Sequence, residues 1–230
     1  ITKTEKTYLV AEIVEIIEKS KHRRPTPCSV AAHCGGCSWQ HITEEQQVVQ
    51  KELLLKELMQ KFIPDLTYTL LPTVTTSQSF EYRNRVQLKH LENKLGYFKT
   101  ESHDIVDIED CLIAEPAIRQ KIKELKVSLK PSKDLQKYEI RLTQNNQVDF
   151  SKIGLHGEDL SFSQVNRFIN EILVKKILEL IQSKNPSHLT ELYAGSGNFT
   201  FPVLNLLPNC SIDAVELNSQ LTSTAINQIK

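Results

Sequence analysis

The chain has 230 residues, with 40% apolar and 24% charged residues and a formal net charge of 0 from 28 basic and 28 acidic side chains. That length buries a core and accommodates one to two domains, and the composition is that of a globular protein. No apolar run approaches a transmembrane span and no signal-peptide pattern opens the sequence, so no membrane partner is expected.

The chain opens at Ile1 and holds a single methionine, Met59, which points to a piece of a longer gene product. Residues 7–17, TYLVAEIVEII, are rich in β-branched side chains and read as a strand, with a helix as the rival. KHRRPTPC breaks that pattern and leads to Cys28. Thr43 with Gln46 has capping-box spacing ahead of a helical run, QVVQKELLLKELMQKF. Residues 64–79 read as loop containing a strand. Residues 82–91 alternate as a strand, turn at Glu92–Lys94 and return through LGYFK as a hairpin. A third strand, HDIVDIEDC, ends at Cys111, and Pro116 opens a helix. YEIRLTQNNQVDF is a hairpin across Asn145 and Asn146. The segment 162–183 is a helix with apolar residues at Phe168, Ile172, Leu173, Ile177, Leu180 and Ile181. Beyond it the order strand, glycine loop, helix, strand, helix gives one βαβα unit of a parallel sheet.

Charge is uneven along the chain. Arg83, Arg85, Lys89, Lys94 and Lys99 face one acid, Glu92, in their stretch. A second run from Arg119 to Lys137 has seven basic residues against Glu124 and Asp134. Such clusters are either phosphate footprints or solvated faces.

In ELYAGSGNF, Gly195 and Gly197 stand where a strand becomes a helix. Glycine there lets a ligand approach backbone N–H groups. The third glycine of the dinucleotide fingerprint is replaced by Thr200, which weakens an NAD reading. Glu216 ends the next strand and can accept ribose hydroxyls. Together these fit an adenosine ligand without a pyrophosphate, such as S-adenosylmethionine.

Cys28, Cys34 and Cys37 are spaced C-x5-C-x2-C, and Cys111 is the natural fourth ligand of a metal site. Three clustered cysteines with a distant fourth suit an iron–sulfur cluster better than zinc, which more often uses two C-x2-C knuckles. The x5 spacing argues against radical cleavage of S-adenosylmethionine. His33 and His41 are secondary ligand candidates, and Trp39 either packs over the site or stacks on a base. Cys210 reads as a small buried hydrophobe. An odd cysteine count without a secretory signal suits a reducing, cytoplasmic compartment.

CSVAAHCGGCSWQH, YRNRVQLKH with LGYFK, IVDIEDC, FSQVN, and ELYAGSGNF with AVE occur in that order. The set resembles the RNA uracil-C5 methyltransferases that use S-adenosylmethionine, in particular the iron–sulfur members that modify large-subunit ribosomal RNA. The resemblance covers nearly the whole chain. It implies the remnant of a TRAM-like RNA-binding β-barrel (an OB-type fold) over 1–24, a central α+β domain with a [4Fe–4S] cluster on Cys28, Cys34, Cys37 and Cys111 over 25–155, and the start of an α/β class I, Rossmann-like methyltransferase domain over 156–230. It further implies S-adenosylmethionine contacts from Gln164, Tyr193, Asn198 and Glu216 around the Gly195 loop.

In this family a cysteine thiolate adds to C6 of a flipped-out uracil, C5 takes the methyl group, and a base removes the C5 proton. That cysteine and that base are expected beyond Lys230, so residues 1–230 alone are expected to leave RNA unmethylated. Arg83, Arg85 and Lys89 are expected to face RNA phosphates, and the chain to be a monomer. Transfer RNA is an alternative substrate. The competing classes are a non-catalytic RNA-binding module with a structural four-cysteine metal site and an NAD-linked or radical oxidoreductase.

Overall fold

A computed structural model of the chain describes residues 1–143, 145–154 and 164–229. The chain divides into two compact units, one of residues 1–31 and 37–71, the other of residues 32–36 and 72–230. Mixed α and β structure is present, as the sequence indicates, and the boundary expected at 155/156 lies outside the described residues.

The first unit begins with β1 (Lys3–Thr4) and β2 (Leu9–Val10), which pair antiparallel. The strand expected over residues 7–17 is therefore only two residues long. Ile13, Val14 and Ile17 are exposed, so the β-branched run has no packed surface to hold it extended. Helix α1 (Glu44–Phe62) starts at the expected residue, with Thr43 at its N-cap. Thr43 makes no side-chain cap, however. The Gln47 carboxamide instead reaches back to the carbonyls of Trp39 and Ile42, both at 3.0 Å, and Glu44 pairs with Arg24 at 2.7 Å. The strand expected within 64–79 does not form; that stretch is irregular throughout.

The second unit is built on a five-stranded antiparallel sheet in the order β5-β4-β3-β6-β7. The strands are β3 (Arg85–Glu92), β4 (Lys94–Phe98), β5 (Ile105–Asp107), β6 (Ser132–Leu142) and β7 (Val148–Ile153). Leu91 pairs with Lys94, so β3 and β4 form the tight hairpin read from the sequence. Helix α2 (Pro116–Ser128) buries Ile118, Ile122 and Leu125, an i, i+4, i+7 stripe, and packs with β6. Because strand side chains alternate, the pairs Val86–Ile140 and Leu88–Tyr138 share one face, and Arg85–Arg141, Gln87–Glu139 and Lys89–Lys137 share the other. Lys121 of α2 lies over the Phe150 ring, opposite Ile140, which puts α2 on the apolar face. Val86, Leu88, Leu95, Ile108 and Ile140 complete this core.

Helix α3 (Arg167–Lys184) is capped by the Asn166 side chain, which accepts from the Ile169 N–H at 3.1 Å, and ends at Asn185 in the left-handed region. The expected start at 162 lies outside the described residues. After α3 come β8 (His188–Leu192), α4 (Thr200–Leu206), β9 (Ser211–Val215) and α5 (Ser219–Ile229), with β8 and β9 parallel in register from His188–Ser211 to Leu192–Val215. Among the described residues no helix is long and apolar enough to cross a membrane.

Candidate functional site

The C-terminal ends of β8 and β9 lie side by side, and the loops leaving them meet. Tyr193, Gly195 and Gly197 all have positive φ, at 59°, 61° and 94°. Nothing stands within 4 Å of a Cβ built on Gly195, so this glycine is required by its backbone angle, not by crowding. Gly197 is required by both, since a Cβ there would strike the Phe201 ring. The turn brings the Gly195 N–H to Oε2 of Glu216 at 2.8 Å, while Oε1 of Glu216 accepts from the Asn218 N–H at 2.8 Å. Those two amides, Asn218 first, hold the Glu216 carboxyl below its ordinary value. Thr200, at the position of the missing third glycine, is buried and donates to Oε2 of Glu191 at 2.6 Å, tying α4 to β8.

The other expected cofactor residues are placed less directly. Tyr193 is 91% exposed and Leu217 is 99% exposed, flanking the loop with uncovered apolar surface. Asn198 forms a reciprocal carboxamide pair with Asn170 of α3, both bonds at 2.9 Å. Gln164 is held through its carbonyl by the Asn84 side chain at 3.2 Å, beside the backbone bond from Asn84 to Val165.

Of the expected metal ligands, Cys34 and Cys111 are buried and Cys28 and Cys37 half-buried, and none forms a disulfide. Within the first unit the Cys28 N–H donates to Oε1 of buried Gln40 at 3.3 Å, and the Arg24–His41 and Thr43–His22 backbone bonds close the loop that carries it. In the second unit Cys34 bridges to Lys99 at the end of β4, and the Gly35 N–H donates to the Phe98 carbonyl at 2.9 Å. The Gly36 N–H points at Sγ of Cys34 at 3.4 Å. Tyr97 stands between this turn and Cys111, its hydroxyl 3.6 Å from Sγ of Cys111. Burial first, and the adjacent Cys111 next, raise the Tyr97 phenol well above its ordinary value, so it stays a protonated donor. Cys111 is pinned in turn: its N–H donates to Asp110 at 2.7 Å, and Asp110 is gripped by Arg119 of α2, which also pairs with Glu81. Among the described residues no group of three or more His, Cys, Asp or Glu side chains is placed to hold a metal ion. Neither the four cysteines nor His33 and His41 are brought together there as a ligand group.

The expected RNA-facing set needs a correction. Arg85 is 8% exposed and binds Glu139 through Nε at 2.7 Å and Nη2 at 2.6 Å, a buried pair that Gln87 also joins. Its charge is spent inside the sheet and does not face a phosphate. Arg83 donates from Nε to the Arg85 carbonyl at 3.0 Å. Lys89 remains available and lies over the Phe98 ring. Cys210 is buried, as expected, at the N-terminal end of β9. About 20 Å of strand separates it from Glu216, which keeps it away from the cofactor loop. Tyr97 and Asn170 carry no signal of their own in the sequence, and Lys137 only that of ending a basic run. Only the cross-strand register and the tertiary contacts reveal them.

Comparison with known proteins bears on the whole constellation. No protein-family model matches the chain. It is 41% identical over its full length to an uncharacterized RNA methyltransferase of Bdellovibrio bacteriovorus, covering 59% of that protein. A 23S rRNA (uracil(1939)-C(5))-methyltransferase, RlmD, of Idiomarina loihiensis is 28% identical over 82% of the chain, which covers 55% of that relative. The chain belongs to the RNA methyltransferase family of these relatives. An uncharacterized RNA methyltransferase of Aquifex aeolicus matches at 32% identity over 61% of the chain and 33% of that relative. The chain thus spans three fifths or less of the length of these methyltransferase relatives. Family membership agrees with the parallel βαβα unit and its glycine loop.

Proposed function

We propose that the chain supplies the cofactor end of an enzyme that methylates C5 of uracil in RNA, ribosomal RNA foremost, using S-adenosylmethionine. The observation that carries this reading is the Glu216 carboxylate bonded to the Gly195 amide at the paired ends of two parallel strands. A nucleoside fits these residues. Each Glu216 oxygen has spent one acceptor site on a backbone N–H and retains another for a ribose hydroxyl. The exposed Tyr193 and Leu217 offer apolar surface to a purine, and Asn198, oriented by Asn170, offers a carboxamide. Gln164 completes the proposed set. When bound, S-adenosylmethionine supplies an electrophilic methyl group. The chain's own residues bind and orient it.

The resemblance and the thiol chemistry together support a [4Fe–4S] cluster held by Cys28, Cys34, Cys37 and Cys111. Buried thiols with N–H and O–H donors aimed at sulfur suit thiolate ligation. Such a cluster would supply structural bracing of the cysteine loop, since the methylation needs no electron. The relation of residues 1–24 to a TRAM-like barrel rests on the resemblance alone. The clustered cysteines, read as metal ligands, accord with a reducing, cytoplasmic site of action.

Calorimetric titration of S-adenosylmethionine into the chain tests the reading. Binding is expected, with Glu216→Ala weakening it by at least about tenfold, the value of hydrogen bonds to a charged acceptor. No binding by the wild-type chain, or preferential binding of NAD, overturns it.

A further inference from the structure

The face of the sheet opposite α2 carries a row of charged cross-strand neighbours, and its two arginines are neutralised within the protein. Arg85 is paired with Glu139, and Arg141 with Asp149 at 2.8 Å. Further along the same two strands, Lys89 stands directly opposite Lys137. Neither lysine has a carboxylate within ion-pair distance among the described residues. Like charges directly opposite on neighbouring strands have Cβ atoms about 5 Å apart and destabilise the sheet. Both side chains are half-buried, so water screens the repulsion only in part. Burial, and then Lys137, lower the Lys89 ammonium below its ordinary value. A fold that neutralises the neighbouring arginines and leaves two lysines confronting each other has kept a place for an external anion.

We propose that Lys89 and Lys137 form a clamp for a phosphodiester of the RNA substrate, on the sheet face that α2 does not cover. The inference rests on the RNA reading above and deepens it by naming the contact. Two lysines directly opposite on neighbouring strands can bring their ammonium groups to the two free oxygens of one phosphodiester or to two successive phosphates. The Phe98 ring, 5.5 Å from the Lys89 ammonium and edge-on to His103, places an aromatic beside the cations. Cations interleaved with an aromatic favour a nucleic acid over free phosphate. Arg85, buried on Glu139, takes no part.

The test is binding of a fluorescent uridine-containing RNA oligonucleotide to the full chain across a salt series, for wild type, Lys89→Gln, Lys137→Gln and the double variant. Each glutamine is expected to weaken binding uniformly across RNA sequences and to make log K against log salt shallower by about 1. Lys89→Arg and Lys137→Arg retain binding. Thermal melts of the same proteins guard against misfolding and give a result of opposite sign: removing the repulsion leaves the Tm unchanged or raises it. Wild-type binding with an unaltered slope in the double variant sinks the clamp alone. No RNA binding by the wild-type chain sinks the clamp and the RNA reading together. A lowered Tm in both glutamine variants makes the lysines structural and overturns the proposal. Tripolyphosphate competing as well as RNA of equal charge would make the pair a free-phosphate site and overturn the RNA assignment.

Discussion

Glu216 shows how one residue's chemistry is set by backbone amides, those of Asn218 and Gly195 foremost and that of Leu217 after them. Its carboxyl is held below the ordinary value of 4.5 by the N–H groups of Asn218 and Gly195. The carboxylate therefore persists down through the usual glutamate range, and S-adenosylmethionine affinity is expected to stay flat from about pH 8 to about pH 5 and fall only below the ordinary glutamate value. Calorimetry at stepped pH checks this, and a midpoint near about 6 would contradict it. Tyr97 makes a second residue-level prediction. Tyr97→Phe removes the hydroxyl beside Sγ of Cys111 and little else, so the fold is retained and, with one fewer group to stabilise the thiolate, alkylation of Cys111 in the metal-free chain slows. Mass spectrometry of the labelled thiol is the readout. Asp110 adds an acid-side dependence. Arg119, first among its partners, lowers its value below 3.8. The stability it contributes is fully present above the unfolded value and is lost as the pH falls through the lower folded value. Arg119→Gln should flatten the fall in Tm across that window.

At the level of elements, α2 and the sheet beneath it hold the cysteine segment in place. Ile122 is fully buried against the apolar face, and Ile122→Ala is expected to cost about 2–5 kcal/mol through lost transfer energy and a cavity. The opposite face depends on the Arg85–Glu139 pair. Glu139→Ala strands a buried guanidinium and should destabilise by about 3–5 kcal/mol. Chemical denaturation of each variant measures both effects, and a loss under about 1 kcal/mol in either case would show that the face is not packed as described. Arg85 and Lys89 share this face, and what separates them is the partner: Arg85 is buried on Glu139, whereas Lys89 faces Lys137, a difference that composition cannot express.

For the whole molecule, net charge is zero, so any affinity for RNA has to come from local arrangement, not from an overall field. The four-cysteine proposal is also a whole-molecule matter, because metal affinity and folding are linked. Anaerobic purification should yield about four irons and about four sulfides per chain, with iron lost in Cys111→Ser and the Tm lowered by chelation. About one zinc without sulfide would replace the cluster with a structural zinc site.

Periodicity and punctuation alone determined the hairpin at Glu92–Lys94, the Pro116 helix, the βαβα unit and the pairing of a glycine loop with Glu216, because each is encoded by neighbours close along the chain. The order of five motifs was enough to indicate the family before any coordinate. Local signals failed where local structure had no tertiary support: the run 7–17 pairs only over Leu9–Val10 and leaves its apolar residues exposed, the stretch 64–79 forms no strand, and Thr43 makes no side-chain cap. Tertiary structure alone decided which basic residues keep their charge outward, since that depends on which carboxylate lies across the strand. It also alone placed Tyr97 against Cys111 and Asn170 against Asn198, contacts between segments that are distant in sequence and that only the folded sheet and helices bring together.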